Sequence, residues 1–255
     1  SGGSTPICLG SGTGTMTLGG NTGSVVRWEK RVNAGSWSTI SNTATTYSET
    51  PSSSGSWDYR AIVQSGSCAA TASSNNTISV DPTSVGGTVS GGSTPICLGS
   101  GTGTMTLSGN TGSVVRWEKR VNAGSWGTIS NTTTTYSETP SSTGSWDYRA
   151  IVQSGSCSAT ASANRTIVVD QGVSGLSATA SANPICEGSN LNLSAGVSAG
   201  TGITYNWSGP GSYSAANTQN PTRNGVLISN SEGVYTVSAV NACGTYTAQT
   251  APVNV

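Results

Sequence analysis

The chain has 255 residues, of which 45 are Ser, 37 are Thr and 35 are Gly, while charged residues make up 8% and the formal net charge is zero. It contains no His and no Phe. The lack of His excludes histidine metal sites, imidazole acid–base catalysis and Ser-His-Asp or Cys-His nucleophile pairs, and a neutral chain lacks the basic excess that nucleic-acid binding requires. We therefore expect a binding or structural protein, without catalytic activity, cofactor or metal.

The first 81 residues contain short runs rich in Thr, Val and aromatic residues, separated by turn sequences such as NTG, NAG and PSSSG. Such runs at intervals of about eight to twelve residues are typical of an all-β sandwich. No stretch of the chain has a helical period. The predicted strands of this part are 13–18, 24–32, 37–41, 45–49, 56–64 and 68–80.

Alternation within two of these runs predicts which side chains form the core, because successive strand residues point to opposite faces. The predicted inward set of strand 56–64 is Trp57, Tyr59, Ala61 and Val63. In strand 24–32 we expect Val26 and Trp28 to point inward, and Arg27, Glu29 and Arg31 to point outward.

A shift of 89 positions aligns residues 1–81 with 90–170, with eight mismatches, all at small or polar positions. A third, more distant unit follows, because Cys186 lies 89 residues after Cys97. Units of this length can bury their own cores, so we predict three domains, 1–82, 83–171 and 172–255, arranged as a rod. The first repeat lacks the stretch that precedes the second, so we expect a segment cut from a longer array, with its first strand missing.

The predicted cores are built from aromatic residues. Trp28 has the position of the central Trp of an immunoglobulin-type sandwich, and the sequence around Tyr235 resembles a tyrosine corner. Trp57 and Trp146 stand at the matching distance after a Gly. The full set of predicted core aromatics is Trp28, Trp57, Tyr59, Trp117, Trp146, Tyr148, Trp207 and Tyr235.

Two cysteines per repeat predict disulfides and an oxidising location. The cysteines expected to pair are Cys8, Cys68, Cys97, Cys157, Cys186 and Cys243. In an immunoglobulin strand order Cys8 and Cys68 lie at opposite ends of a domain, beyond the roughly 7 Å that a disulfide allows between Cα atoms. Either the first strand deviates and the bond forms within the domain, or the bonds cross domains, joining Cys8 to Cys157 and Cys97 to Cys243. We favour pairing within domains, because isolated domains must fold before they stack.

Two groups of residues are candidates for binding a partner. The candidate ligand-facing residues are Trp37, Trp126, Arg27, Arg31, Arg116 and Arg120. The charges form a recognition stripe repeated every 89 residues, or a ladder of cross-strand ion pairs, which we favour because both signs alternate. Each Trp is a stacking platform for a sugar ring or a cover for the open side of the sandwich, which we favour.

The string VVRWEKRVNAGSW, the strand end YRAIVQSGSC and the connector VGGTVSGG resemble the immunoglobulin-like and PKD-like repeats of giant surface adhesins of gliding Bacteroidota. These SprB-like proteins are cargo of type IX secretion. The resemblance covers all three units and is weaker in the third. It implies a secreted, extracellular protein of the cell surface that acts in attachment and gliding motility, with neighbouring repeats of the same longer chain or filament as partners.

We therefore expect a structural stalk or filament segment of a cell-surface adhesin. One alternative is an array of carbohydrate-binding modules that holds surface polysaccharide through Trp37 and Trp126. Another is a self-assembling, pilus-like filament in which a second chain supplies the missing first strand. The run 83–89, TSVGGTV, is Gly-rich and weakly apolar and makes a poor donor strand, so we rank this alternative last.

The ends of the chain and its hydropathy add one expectation. No run of eighteen apolar residues is present, and residues 1–10 lack the charged-then-apolar pattern of a signal peptide. We expect a soluble chain without membrane insertion that is mature or an excised piece.

Overall fold

A computed structural model describes all 255 residues, and the chain folds almost entirely into β-strands. Buried apolar side chains form three separate clusters, within residues 7–80, 89–169 and 185–253. We call the surrounding parts unit 1 (residues 1–82), unit 2 (residues 83–171) and unit 3 (residues 172–255). The all-β prediction is confirmed.

Unit 1 is a sandwich of one large and one small sheet. Its strands are β1 (Ile7–Cys8), β2 (Met16–Thr17), β3 (Ser24–Val32), β4 (Ser38–Ile40), β5 (Thr46–Tyr47), β6 (Gly55–Gln64), β7 (Thr71–Ala72) and β8 (Asn76–Asp81). The large sheet has the order β1-β8-β6-β3-β4, with β7 also paired to β6, and β2 pairs with β5 in the small sheet. Strand β1 runs parallel to β8, so Cys8 lies beside Asp81 at the end where the chain leaves the unit.

Unit 2 repeats this arrangement and adds one strand. Its strands are β9 (Thr88–Gly91), β10 (Ile96–Cys97), β11 (Met105–Ser108), β12 (Ser113–Val121), β13 (Gly127–Ile129), β14 (Thr135–Tyr136), β15 (Gly144–Gln153), β16 (Thr160–Ala161) and β17 (Arg165–Asp170). The large sheet is ordered β10-β17-β15-β12-β13, and the small sheet is ordered β14-β11-β9. Strand β9, which begins in the connector from unit 1, is the added strand.

Unit 3 keeps a sandwich with different strand lengths. Its elements are β18 (Ser177–Ala180), β19 (Leu191–Gly196), β20 (Thr204–Gly209), β21 (Tyr213–Ala215), β22 (Thr222–Arg223), α1 (Ile228–Ser231), β23 (Thr236–Asn241) and β24 (Gly244–Gln249). A sheet of order β21-β20-β23-β24 shares its core with a sheet of order β18-β19-β22. The only helix, α1, has four residues and is too short to span a bilayer.

One predicted inward residue of β3 is wrong. The pairing of β3 with β6 shifts register between Val25 and Arg27, so that a β-bulge interrupts the alternation. As a result Val25 is 5% exposed and belongs to the core, whereas Val26 is 37% exposed. The extra residue of a bulge reverses the faces on one side of it, and simple alternation does not reveal it.

In each unit, a core aromatic residue near the start of a central strand donates a hydrogen bond to the backbone carbonyl four residues before it. The hydroxyl of Tyr235 donates to the carbonyl of Ser231 at 2.9 Å, which is the tyrosine corner of immunoglobulin-like domains. In unit 1 the indole N–H of Trp57 donates to the carbonyl of Ser53, also four residues earlier and at 2.9 Å. Unit 2 repeats this bond. The eight aromatics assigned to the core are all buried, with exposures of 0–6%: Trp28, Trp57, Tyr59, Trp117, Trp146, Tyr148, Trp207 and Tyr235.

Candidate functional site

The junction between units 1 and 2 is closed by a disulfide between Cys8 and Cys157, whose Cα atoms are 4.7 Å apart. Cys8 ends β1 beside the last residue of unit 1's sheet, and Cys157 lies in the turn that follows β15. The expectation that Cys8 pairs with Cys68 within its own unit is wrong. Cys68 follows β6 at the opposite end, and the six residues of β8 alone span about 20 Å.

The second junction has the same bond, between Cys97 and Cys243, again with a Cα separation of 4.7 Å. Cys68 and Cys186 are free and exposed, so the expectation that all six cysteines are paired is wrong for these two. Their partners under pairing within units would be Cys8 and Cys243, and both are bonded across a junction instead.

A strand-end aspartate reinforces the first junction. The carboxylate of Asp81 accepts hydrogen bonds from the backbone N–H of Ser156 at 2.7 Å and from its hydroxyl at 2.9 Å. Beside it, the backbone N–H of Ser154 donates to the Ser84 hydroxyl at 3.0 Å. Gly155 has φ +46°, and a Cβ there would overlap the Asp81 carboxylate. This turn therefore requires glycine for both its conformation and the close approach of unit 1.

The second junction uses the equivalent aspartate with a different loop of the next unit. The Thr201 hydroxyl donates to the carboxylate of Asp170 at 3.2 Å, and the backbone N–H of Gln171 donates to the same hydroxyl oxygen at 2.6 Å. The amide of Asn241 donates to the carbonyls of Gln171 and Thr201 at 2.7 and 2.8 Å. Each junction thus combines a disulfide with hydrogen bonds to a strand-end Asp.

The connector between units 1 and 2 packs along unit 2 as part of its sandwich. Val85 exchanges two backbone hydrogen bonds with Thr111, and the N–H of Ala163 donates to the carbonyl of Gly87 at 3.0 Å. A Cβ on Gly86 would overlap the carbonyl oxygen of Ala161. The connector contains Gly here because the two backbones approach too closely for a side chain.

The two junctions lie at opposite ends of unit 2. It receives unit 1 on the turn after β15, and it contacts unit 3 through Cys97 and Asp170 at the far end of β17. The end of β17 lies beside the first residue of β15, whereas the turn with Cys157 follows the last residue of β15, so the units follow one another in single file.

Residues 1–82 and 85–171 each match one family model, described as a domain of unknown function (DUF8696). The chain belongs to the DUF8696 family. A search of curated proteins finds no match.

Solved structures show the fold. An I-band fragment of titin has a TM-score of 0.50 and 11% identity, covering 98% of this chain and 95% of that chain. The full ectodomain of mouse nectin-like molecule 4 gives 0.46 and 14%, covering 98% and 96%. Extracellular domains 3–5 of Drosophila OTK give 0.36 and 15%, covering 99% and 94%. The likeness to the titin fragment over the whole chain confirms tandem immunoglobulin-like sandwiches.

The outer face of each DUF8696 unit carries a closed set of ion pairs. In unit 1, Glu29 lies between Arg27 at 2.8 Å and Arg60 at 2.7 Å, and Arg31 pairs with Asp58 at 2.8 Å. Burial raises the pKa of the Glu29 carboxyl, but the hydrogen bonds and charges of the two arginines outweigh it and lower that pKa. In unit 2 the corresponding pairs join Arg116 and Arg149 to Glu118, and Arg120 to Asp147.

The two candidate tryptophans belong to the same set. The guanidinium groups of Arg60 and Arg31 lie 3.9 and 4.6 Å from the ring centroid of Trp37, within cation–π range. In unit 2 the guanidinium groups of Arg149 and Arg120 lie 3.9 and 4.6 Å from the ring centroid of Trp126. Of the predicted ligand-facing residues, Arg31 contacts Trp37 and Arg120 contacts Trp126. Arg27 and Arg116 instead pair with Glu29 and Glu118.

A further polar cluster was missed from sequence. The Lys30 ammonium lies 2.6 Å from the Glu49 carboxylate, which also accepts hydrogen bonds from the hydroxyls of Tyr47 at 2.8 Å and Tyr59 at 2.7 Å. Burial raises the pKa of the Glu49 carboxyl, but its hydrogen bonds and the Lys30 charge lower it overall. Burial and the Glu49 carboxylate raise the pKa of both tyrosines. Lys30 could have indicated this cluster, because it lies two residues after Trp28 and therefore on the predicted core face of β3.

Proposed function

We propose that this chain is a stalk or filament segment of an extracellular cell-surface adhesin built from tandem immunoglobulin-like domains, here residues 1–82, 83–171 and 172–255. The observation that carries the proposal is the disulfide at each junction, which ties consecutive units together covalently. Disulfides form and persist outside the reducing cytosol, which supports an extracellular location. The resemblance to SprB-like adhesins of gliding Bacteroidota supports a surface protein with neighbouring repeats as its partners. No catalysis is part of the proposal.

The two bonds interlock in a way that suits a load-bearing chain. With both disulfides formed, the shortest covalent path from Cys8 to Cys243 runs through Cys157 and Cys97 and includes only residues 97–157. That path holds about 60 residues, instead of about 235 along the backbone, and an extended residue spans at most about 3.6 Å. A stalk of this kind resists lengthening even when its domains unfold.

Stretching single molecules between their two ends tests the proposal. The oxidised chain should extend to about 290 Å and the reduced chain to about 900 Å, at about 3.6 Å per residue. The Cys68→Ser variant is the matched control, because it removes a cysteine without touching a junction, and it should keep the short limit. An oxidised chain that reaches the reduced length would contradict a stapled stalk.

Binding to immobilised glycans separates the stalk from the carbohydrate-binding alternative. We expect no binding, since the rings of Trp37 and Trp126 are already engaged by arginines. Glycan binding that is lost in the Trp37→Ala, Trp126→Ala double variant would favour a carbohydrate-binding array instead.

A further inference from the structure

Unit 1 has an open groove where unit 2 has a strand. A cavity of 630 Å³ opens between the β2 edge and the segment that contains β7. The residues lining its apolar part are Met16, Leu18, Trp28, Tyr59, Val63 and Ala72. Residues 1–3 pair with β2, as residues 90–92 pair with β11, but no residue of unit 1 takes the place that residues 85–89 have in unit 2.

In unit 2 the same groove, with nearly the same sequence, is filled by the connector and β9. Val89 is 4% exposed and belongs to the core, paired with Leu107, which is also 4% exposed. The equivalent of Leu107 in unit 1 is Leu18, which is only partly buried. The occupant of the unit 2 groove therefore shows what the groove of unit 1 is shaped to hold.

Two backbone amides differ in their hydrogen bonds between the filled groove of unit 2 and the open groove of unit 1. In unit 2 the N–H groups of Thr111 and Ala163 donate to the connector carbonyls of Val85 and Gly87, both at 3.0 Å. The residues at the same positions in unit 1 are Thr22 and Ser74, which are exposed and whose N–H groups donate to no protein acceptor.

The same end of unit 1 carries an unused cysteine. Cys157 of unit 2 is 2% exposed and bonded to the preceding unit, whereas Cys68, at the same position of the turn after β6, is free and exposed. The groove and the Cys68 thiol thus form one acceptor site. In unit 2 the equivalent groove is filled by the connector, and the equivalent thiol, Cys157, is bonded to Cys8.

We propose that this end of unit 1 is a docking site for the C-terminal end of another DUF8696 unit. An extended segment of the sequence Thr-Ser-Val-Gly-Gly-Thr-Val fills the groove. The expectation that this run makes a poor donor strand is wrong for unit 2, where it is packed and hydrogen-bonded. A cysteine at the position of Cys8 bonds to Cys68. The strand-end Asp of that unit is held by Ser67, as Asp81 is held by Ser156. The proposal concerns how units join in an oxidising location, and it does not rest on an adhesin role.

Both parts of the docking have defined chemistry. The groove selects the segment through main-chain hydrogen bonds, one buried Val and two glycines, as in other cases of strand addition. The disulfide forms when the two thiols give up two protons and two electrons to a disulfide oxidant such as oxidised glutathione, which is reduced to two thiols.

A chain lengthened at its N-terminus tests the site. A copy of residues 1–89 precedes Ser1, with Cys68→Ser in the copy so that the original Cys68 is the only acceptor thiol. After oxidation with glutathione disulfide we expect one alkylatable thiol, Cys186, instead of the two of the original chain. Amide exchange of the original Thr22 and Ser74 should slow by about tenfold or more, as expected for newly hydrogen-bonded amides.

The matched control carries Gly86→Val and Cys8→Ser in the copy, which blocks the close backbone approach and removes the donor thiol. It should keep two alkylatable thiols and rapid exchange at both amides. If the intact extension leaves either the thiol count or the exchange rates of the original chain unchanged, the docking site is refuted.

Discussion

Lys30 and Glu49, with Lys119 and Glu138 in unit 2, form partly buried ion pairs beside an aromatic cluster. The Lys30 ammonium also lies 5.2 Å from the ring centroid of Trp57, and Tyr47 and Tyr59 complete the hydrogen bonds of the carboxylate. In a partly buried, hydrogen-bonded ion pair, loss of the charge on one partner leaves the other charge without its partner and lowers stability. The cluster should therefore contribute to the pH dependence of stability.

The direction follows from the pKa shifts. The pKa of Glu49 is lowered on folding, so the stability it adds is present above the unfolded pKa of about 4.3 and is lost as the pH falls through the lower folded value. The pKa of Tyr59 is raised, so its contribution is present below about 10 and is lost as the pH rises through the raised value.

We predict that calorimetric melting temperatures of units 1 and 2 are highest between about pH 5 and pH 9 and fall on both sides. The double variant Glu49→Gln, Glu138→Gln should melt lower at neutral pH and lose part of its acid slope. Glu187→Gln, at an exposed position, is the control and should change neither. An unchanged acid slope in the double variant would contradict a structural role for the cluster.

Single residues also show where alternation succeeds and where it fails. It places Trp57 and Tyr59 on the buried face of β6 because that strand pairs regularly at those residues. It fails at Val26 because a bulge adds one residue to β3, and a bulge depends on pairing with another strand. The polar cluster around Glu49 could have been predicted, since a Lys on the same strand face as core residues needs an oppositely charged partner.

At the scale of elements, long strands with local signals are predictable and short ones are not. The prediction of a strand at 24–32 agrees with β3, which is Ser24–Val32. The run 68–80 contains two separate strands, β7 and β8. Strand β1 was missed because it has two residues and its partner, β8, lies far away in the sequence. That omission matters most, because β1 sets the end of the unit at which Cys8 lies.

The connector that leads into β9 is the element whose sequence is most constrained. Gly86 has no room for a Cβ against the Ala161 carbonyl, so we predict that Gly86→Ala destabilises unit 2 by about 1–3 kcal/mol. In calorimetry this corresponds to a melting temperature lower by about 4–8 °C per kcal/mol for a domain of this size.

Amide exchange at Ala163 and Thr111 should rise in the same variant, because the connector holds both groups. Gly127→Ala is the matched control: a Cβ there meets its nearest atom at 3.7 Å, an ordinary contact, and no loss is expected. Equal stability of the Gly86→Ala and Gly127→Ala variants would show that the connector is not packed as described.

At the scale of the whole molecule, the sequence repeat made three tandem sandwiches predictable, but not how they join. Both pairings fit the cysteine count, and the argument that each domain must fold first favoured the wrong one. The choice depends on the parallel pairing of β1 with β8, which sends Cys8 to the exit end of unit 1 and leaves Cys68 at the other end. Closing a loop of about 150 residues is worth about 5 kcal/mol in the chain-entropy model.

Peptide mapping without reduction tests this joining most directly, because trypsin separates the cysteines usefully. After free thiols are alkylated, we predict peptide 1–27 linked to 150–165, and peptide 61–116 linked to 224–255, with Cys68 and Cys186 alkylated. Pairing within units would instead link 1–27, 61–116 and 150–165 into one product, with Cys68 blocked. Recovery of that three-peptide product would contradict the stapled junctions.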